Sequence, residues 1–393
     1  MQTWTRTRAT PPLLKRLNEQ TVLETIRSGA PISRAEISRR AEISKPTVSL
    51  ALQSLLEAGL VRETKAPSGP SYGAVYFEPV PEAALVLGID LGARFVRGAL
   101  CDVTGRIRAR QDAELTDTDA DHALAAITGL HAALVEATGL GHDLVDGVVV
   151  GVPGVVEAGT GRVTLAANVP GLEERAFGDE LAERLGLPVT LENDINLAAL
   201  GEHWLGVAQG VDDFVFLSIG TGMGAGLVLR GELHRGHHGA AGEVDYALAG
   251  VGVEADPSAV SLTELTKRLA EERKHETALA PPYDARAIFT AARGDDPLAR
   301  AVVAEVARRI ALHIASISAV ADVGLVVLGG GLGTNGDLLL APVREHLEGW
   351  LPYPPRVEIS SLGEAAVLTG ALAVGLRSAL DNVFVRRGGA VAV

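Results

Sequence analysis

Leu217-Ser218-Ile219-Gly220-Thr221-Gly222-Met223-Gly224-Ala225-Gly226 is the stretch on which the reading of this chain turns. An apolar run of strand character enters it, a glycine turn breaks it, and a second apolar run through Leu227 and Leu229 leaves it. The pattern predicts a β-hairpin whose bend lets a ligand approach the backbone, and phosphate is the usual ligand of such bends. Further on, Gly239-Ala240-Ala241-Gly242-Glu243 sets one carboxylate in a loop of small residues. That arrangement suits a hydroxyl-rich ligand held by charge-assisted hydrogen bonds. Each motif taken alone also fits a plain hairpin and an ordinary loop.

The chain around this stretch has 393 residues, enough for two or three domains, and its 47% hydrophobic and 21% charged residues are those of a globular protein with a large core. No segment reaches the roughly 18 uninterrupted apolar residues of a membrane span, and the N-terminus lacks the apolar centre of a signal peptide. A cytoplasmic location with no membrane partner is expected. The single cysteine, Cys101, lies in a predicted strand, which excludes a disulfide framework and a thiolate metal cluster. The net charge of −14 is divided unevenly: residues 1–79 hold 11 Lys+Arg against 7 Asp+Glu, whereas the remainder is strongly acidic. A basic head on an acidic body implies that only the head meets a polyanion.

The head reads as three helices and a wing. Residues 13–27 carry a helical apolar pattern through Leu14, Leu17 and Val22. Ser33-Arg34-Ala35-Glu36 is a capping box, the glutamate expected to reach back to the cap, and it predicts a short second helix ending near Ala41. Ser44 caps a third helix, with Pro46 in its first turn and Gly59 past its end. Val48, Leu52, Leu55 and Leu56 form the apolar face of that helix, which leaves Pro46, Thr47, Ser49, Leu50 and Gln53 on the other. Residues 60–64 and 72–77 are expected as strands around the turn Pro67-Ser68-Gly69-Pro70. Residues 1–79 thus have the pattern of a winged helix-turn-helix, in which Ser44, Pro46, Thr47, Ser49 and Gln53 face base edges while Arg34, Arg39, Arg40 and Lys45 serve phosphates. Arg62 and Lys65 stand near the wing. A small helical domain for protein contacts would use the same caps.

After the stiff linker Glu78-Pro79-Val80-Pro81, three strands over 84–90, 95–102 and 106–115 are predicted as a meander, then a helix over 119–138 and a strand over 144–152. Strands over 214–219 and 225–229, a helix over 297–320 and a strand over 325–328 repeat the order. The repeat predicts a duplicated α/β body with a ligand cleft between its halves.

Taken in order, SRAEISRRAEISKPTVS with LLEAGLVRE, LGIDLG, GVPG, LENDINLAALGE, LSIGTGMGAGLVLRGEL, GAAGEV and VVLGGGLG resemble the ROK family of repressors, uncharacterised open reading frames and sugar kinases. The resemblance covers nearly the whole chain. It implies an actin-like, hexokinase/RNase H-type duplicated α/β domain, with residues 80–193 as the first lobe, 194–393 as the second, and the last helix packing back on the first. A basic head is what the family's transcription regulators have and its kinases lack. By the same resemblance Asp194 matches the kinase base that takes a proton from a sugar hydroxyl, here vestigial. Asn193, Glu243 and Asn168 match other sugar-facing positions. Asp90, Gly92, Gly220, Thr221, Gly222, Gly224, Gly329, Gly330 and Gly331 match nucleotide loops, also vestigial. A carboxylate at a strand end can accept a sugar hydroxyl whether or not phosphate is transferred. The plainer roles are a helix cap for Asp194 and a turn residue for Asn168.

Two departures bear on function. Family kinases grip ATP phosphate with two glycines and a threonine after the first strand, whereas this chain has Asp90-Leu91-Gly92-Ala93-Arg94. Phosphoryl transfer depends on positioning and electrostatics, so the altered clamp argues against an enzyme. After Glu243, Asp245 and Tyr246 replace a glycine and a histidine, and the cysteine-rich zinc motif usual in the family is missing. No cofactor and no metal are expected, and His234, His237 and His238 are expected in solvent. The resemblance therefore implies a transcriptional regulator of carbohydrate metabolism, a repressor that binds double-stranded operator DNA as a homodimer or higher homo-oligomer and answers to a sugar or sugar-derived effector. The alternatives are an ATP-dependent sugar kinase with a DNA-binding head and an effector-independent DNA-binding protein.

Overall fold

The computed structural model describes residues 11–65, 74–166, 168–248, 250, 254–273 and 277–388. The head comprises α1 (Pro11–Gly29), β1 (Ile32–Ser33), α2 (Arg34–Arg40), α3 (Lys45–Glu57), β2 (Val61–Thr64) and β3 (Tyr76–Pro79). Its strands form one sheet in the order β1-β3-β2. Ser33 Oγ accepts the Glu36 amide at 3.3 Å and Ser44 Oγ accepts the Thr47 amide at 3.4 Å, so both predicted caps form. Gly59, at φ 67°, turns the chain out of α3. Ile26, Ile37, Val48, Leu52, Leu55 and Phe77 fill the core beneath.

Three features of the head differ from the sequence reading. Glu36 does not reach back to its cap; its carboxylate binds Arg39 and Arg40 one turn on, because an ion-paired hydrogen bond is stronger than one to a neutral amide. The third strand runs Tyr76–Pro79 rather than over 72–77, and the turn at Pro67-Ser68-Gly69-Pro70 lies outside the described residues. The two-residue strand β1, paired to β3 through Ile32 and Phe77, is an addition.

The body is two sheets of one design. The first half in chain order contains β4 (Leu85–Leu91), β5 (Phe95–Asp102), β6 (Ile107–Glu114), α4 (Ala120–Thr138), β7 (Val145–Val152), β8 (Val155–Val156), β9 (Val163–Thr164), α5 (Phe177–Leu185), β10 (Val189–Asn193) and α6 (Asp194–Leu205). The second contains β11 (Phe214–Ile219), β12 (Met223–Leu229), β13 (Glu232–Leu233), α7 (Ala259–Arg273), α8 (Ala285–Arg293), α9 (Pro297–Ala321), β14 (Leu325–Gly329), α10 (Gly330–Gly333), α11 (Gly336–Trp350), β15 (Arg356–Ile359) and α12 (Ala366–Gly388). The sheet orders β10-β7-β4-β5-β6 and β13-β12-β11-β14-β15 are equivalent. In each, a central strand has an antiparallel hairpin neighbour on one side and two successive parallel strands on the other. The predicted hairpin is β11–β12, in register from Phe214 opposite Val228 to Ile219 opposite Met223.

The helix that closes each half packs on the other half's sheet. α6 follows β10 yet lies on β11 and β12, and α12 follows β15 yet lies on β4 and β7. The two helices meet each other along glycines. A Cβ on Gly370 would stand 1.8 Å from the Leu197 carbonyl oxygen, and one on Gly201 would stand 2.3 Å from that of Ala366. Backbone therefore touches backbone, which no other residue permits. Although α12 contains an 18-residue window, Gly363–Leu380, apolar enough by length and composition to cross a membrane, that apolar surface is what faces β4, β7 and α6.

Gly370→Val should destabilise the protein by about 3 kcal/mol or prevent folding, because the displaced atoms belong to backbone. Gly129→Ala in α4, where a Cβ meets nothing within 4 Å, should instead raise stability by about 0.5–1 kcal/mol. Thermal unfolding of both variants checks the contrast, and equal melting temperatures would contradict it.

Candidate effector cleft and nucleic-acid interface

The β10–α6 junction, Glu192-Asn193-Asp194, carries the residues that the sequence reading assigns to the floor of an effector cleft. Asn193 caps α6 by accepting the Asn196 amide at 2.9 Å, and its Nδ2 donates to the Gly154 carbonyl at 2.8 Å. Gly154, at φ 91°, has no room for a side chain, since a Cβ would lie 2.4 Å from the Thr164 carbonyl oxygen. Asn193 is thus buried with both ends of its amide engaged by protein. Asp194 is the first residue of α6 rather than its cap, and its Oδ1 accepts the Ile195 amide at 2.8 Å.

Two residues absent from the sequence reading hold this floor. Arg235, which follows β13 in the second lobe, donates through Nε at 2.7 Å to Glu192, whose other oxygen accepts the Asn193 amide and Asn196 Nδ2 at 3.0 Å each. Arg97 on β5 stands opposite Asp90 in the β4–β5 register and bonds it at 3.2 Å, with Asp112 at 3.7 Å and Glu364 at 3.3 Å. The one available signal was the rule that a buried carboxylate needs a cation; the partner's number was not legible.

Glu243 comes to the same place through backbone contacts. The Ala225 amide on β12 donates to the Gly242 carbonyl at 2.8 Å, and a Cβ on Gly224 would meet the Ile195 side chain at 2.4 Å. The loop also touches the first lobe, where a Cβ on Gly239 would lie 2.2 Å from the Val156 carbonyl oxygen. Asp194 is near enough to both Asp90 and Glu243 to feel their charge. Burial, then the charges of Asp90 and Glu243, push the Asp194 carboxyl up to about 7. Part of the Asp194 surface reaches solvent. Burial likewise raises Asp90 to about 6 against the opposing pull of Arg97, and burial followed by Asp245 raises Glu243. Carboxylates in their ionised form can accept hydrogen bonds from hydroxyl groups.

Asn168 lies exposed in the turn between β9 and α5. His234, His237 and His238 are exposed. Gly92 closes the β4–β5 turn through its amide to the Phe95 carbonyl at 3.0 Å, while Ala93 and Arg94 are exposed and the Arg94 guanidinium sits 6.0 Å from the Phe95 ring centre. The turn bearing Gly220, Thr221, Gly222 and Gly224 adjoins the loop Gly329-Gly330-Gly331, with a Cβ on Gly220 falling 3.9 Å from the Gly331 amide nitrogen. Beside them opens a cavity of about 450 Å³, lined in part by Thr221, Phe289 and Arg293.

On the head, Arg34, Lys45, Pro46 and Gln53 are exposed, and Ser44 and Thr47 share a hydroxyl hydrogen bond of 2.8 Å. Ser49 Oγ donates to the Lys45 carbonyl at 2.9 Å and Gln53 Nε2 to Glu57 at 2.9 Å. Arg39 and Arg40 are paired with Glu36, and Arg62 bonds Glu78 across the β2–β3 pair at 2.7 Å.

The ROK family model matches residues 86–377, three-quarters of the chain. The chain belongs to the ROK family. A MarR family model matches residues 17–69, the region of α1 to β2. The chain is 27% identical over 392 residues to the xylose repressor of Caldicellulosiruptor bescii, covering 94% of this chain and 98% of that one. It is 30% identical over 317 residues to the glucokinase of Halalkalibacterium halodurans, covering 72% of this chain and 92% of the relative. Among solved structures, a ROK family transcriptional regulator described as a homologue of the E. coli MLC protein shares the fold over 95% of this chain and 98% of that chain, with a TM-score of 0.77 at 24% identity. A ROK family glucokinase from Streptomyces griseus, in complex with glucose and AMPPNP, covers 75% of this chain and 100% of its own with a TM-score of 0.64 at 27% identity.

Asp194 should weaken the fold as pH rises. Its carboxyl titrates near 7 in the folded chain and near 4 unfolded, so the native state holds a proton that the unfolded state has lost between those values. Its contribution is neutral below about pH 4 and destabilising above about 7. Asp194→Asn should therefore raise the melting temperature at pH 8 by several degrees more than at pH 4.5. Differential scanning calorimetry at both pH values decides the matter, and an equal effect would refute the shift.

Proposed function

We propose that this ROK protein is a DNA-binding transcriptional repressor whose cleft takes a small carbohydrate, and that cleft occupancy sets the affinity of the head for its operator. The observation that carries the reading is the continuity of one apolar core. Val22, Ile26 and Phe77 of the head, Val86 and Cys101 of the first lobe, and Leu368, Leu372 and Leu376 of α12 belong to a single buried cluster. α12 is pressed backbone to backbone against α6, and α6 begins at Asp194. A ligand on Asp194 and Glu243 thus acts on the helix pair against which the head is packed. The full-length match to a protein named as a xylose repressor supports a sugar as the ligand class.

Repression rather than catalysis is supported by the β4–β5 turn, where Ala93 and Arg94 stand in place of the glycine and the threonine of the family kinases' phosphate clamp. The cavity beside Gly220 and Gly331 favours the second reading, an ATP-dependent sugar kinase, and a coupled ADP assay with common hexoses, pentoses and N-acetylated aminosugars tests it. No turnover is the expected result. The protein is assigned to the cytoplasm as a homodimer or higher oligomer, the arrangement by which two heads meet half-sites at a multiple of roughly 34 Å. No zinc is assigned, because Asp245 and Tyr246 follow Glu243 and the one cysteine is buried in β5.

Titration against the duplex upstream of the coding sequence and a scrambled duplex, at two salt concentrations and with a sugar panel, should show selective, salt-dependent binding altered by one sugar. Asp194→Asn should abolish the sugar response while sparing DNA binding; unchanged induction would remove the cleft from the account. A sugar hydroxyl favours the ionised carboxylate, so sugar affinity should tighten about tenfold from pH 6 to 8 as Asp194 loses its proton. Isothermal titration across that range would show flat affinity if Asp194 were not a ligand.

A further inference from the structure

Leu50 is the sixth residue of α3, and 66% of its surface is exposed. Among the described residues of the head no large apolar side chain is more exposed. α3 has no need of it for folding, since Val48, Ala51, Leu52 and Leu55 already form its buried face. Leu50 stands three residues after Thr47 and three before Gln53, so the three share the outer face of the helix.

Each polar side chain on that face already has one hydrogen bond within the helix or its cap. Ser49 Oγ is bound to the Lys45 carbonyl, the Thr47 hydroxyl to Ser44, and the Gln53 amide to Glu57. Leu50 offers an apolar surface that needs no bond broken before it meets a partner. In the major groove of B-DNA the apolar group presented by the bases is the 5-methyl of thymine. A recognition helix enters that groove by its N-terminal residues, where Leu50 follows Lys45 and Pro46.

We propose that Leu50 is a specificity residue that reads the 5-methyl group of thymine in the operator. The inference rests on the DNA-binding reading of the head and deepens it. Charge favours DNA over a protein as the occupant: the exposed Lys45 begins α3, and residues 1–79 carry 11 Lys+Arg against 7 Asp+Glu on an otherwise acidic chain. Leu50 also borders a groove of about 620 Å³ between α1 and α3, shared with Leu14, which makes a protein partner the competing occupant.

The test uses the full-length protein and duplexes enriched by it from a random library. Each thymine of the enriched sequence is replaced in turn by deoxyuridine, which removes the methyl and keeps every hydrogen-bonding group. At one position in each half-site the wild type should lose about fourfold in affinity, the worth of one buried methyl group. Leu50→Ala should bind the two duplexes equally, whereas Leu50→Met should keep part of the methyl dependence. Lys45→Ala should weaken all duplexes alike and leave the methyl dependence in place. The proposal is overturned if the wild type tolerates deoxyuridine everywhere, or if Leu50→Ala stays as methyl-dependent as the wild type. It is also overturned if Leu50→Ala alters only the oligomeric state in sedimentation, which would give the groove to a protein. Failure to enrich any sequence would remove DNA reading by the head altogether, an outcome distinct from methyl-independent selective binding.

Discussion

The contact between α6 and α12 is the constraint from which the rest of the body follows. Each helix has left the sheet that precedes it and packed on the sheet of the other half, so each lobe is closed by a helix that follows the other lobe's sheet. This exchange brings two helix backbones within van der Waals reach, and Gly201 and Gly370 make that reach possible. Glu202, fully buried next to Gly201, tightens the same joint. Its carboxylate accepts the Val207 amide at 2.9 Å and the Leu362 amide at 3.1 Å, and takes the Ser360 hydroxyl as well. The end of α6 is thereby tied to the segment that leads into α12. α6 is thus held firmly at its C-terminal end and carries Asp194 at its N-terminal end.

Charge at that N-terminal end is deliberately unequal across the floor. Glu192 is paid in full by Arg235, and Asp90 is offset by Arg97, but among the described residues no cation pairs with Asp194. Removing an ion-paired carboxylate from water is tolerable; removing an unpaired one raises its pKa, as it does here to about 7. The helix N-terminus softens the penalty, since Asp194 receives the Ile195 amide and lies at the positive end of α6. The result is a group that shifts between donor and acceptor near neutral pH, next to Glu243, in a loop that touches both lobes. A hydroxyl donor would offer that unpaired carboxylate a hydrogen bond.

Much of this was legible in the sequence because it is local. The caps at Ser33 and Ser44, the left-handed exit at Gly59 and the β11–β12 hairpin follow from residues within a few positions of one another. The duplicated order of strands and helices was likewise readable from periodicity and turn residues. What was not legible is set by distance along the chain. Nothing near Glu192 names Arg235, and nothing near Asp90 in a plain reading of the turn separates Arg94, which is exposed, from Arg97, which makes the ion pairs. β1 was missed because two residues carry no periodicity; its existence depends on β3, more than forty residues on. Glu36 shows the limit even of local rules, since a capping-box glutamate with arginines one turn later has a better partner than its cap.

The head and the body share a core rather than a linker, and that changes what the cleft can control. A head on a free tether would sample many orientations whatever the cleft held, and a sugar could then affect DNA binding only by blocking it. Here Val22, Leu23 and Ile26 of α1 belong to the same buried cluster as Leu372, Leu376 and Ala379 of α12, with Trp204 of α6 packed at its edge. Between α1, α6, α12 and β13 a cavity of about 570 Å³ remains, so the packing is continuous without being complete. A switch needs both properties. The shared core makes the head's position depend on α12, and the adjoining void leaves space beside α1, α6 and α12. Full reversal of such an equilibrium takes about 5.5 kcal/mol of differential binding, which a few charge-assisted hydrogen bonds to Asp194 and Glu243 can supply.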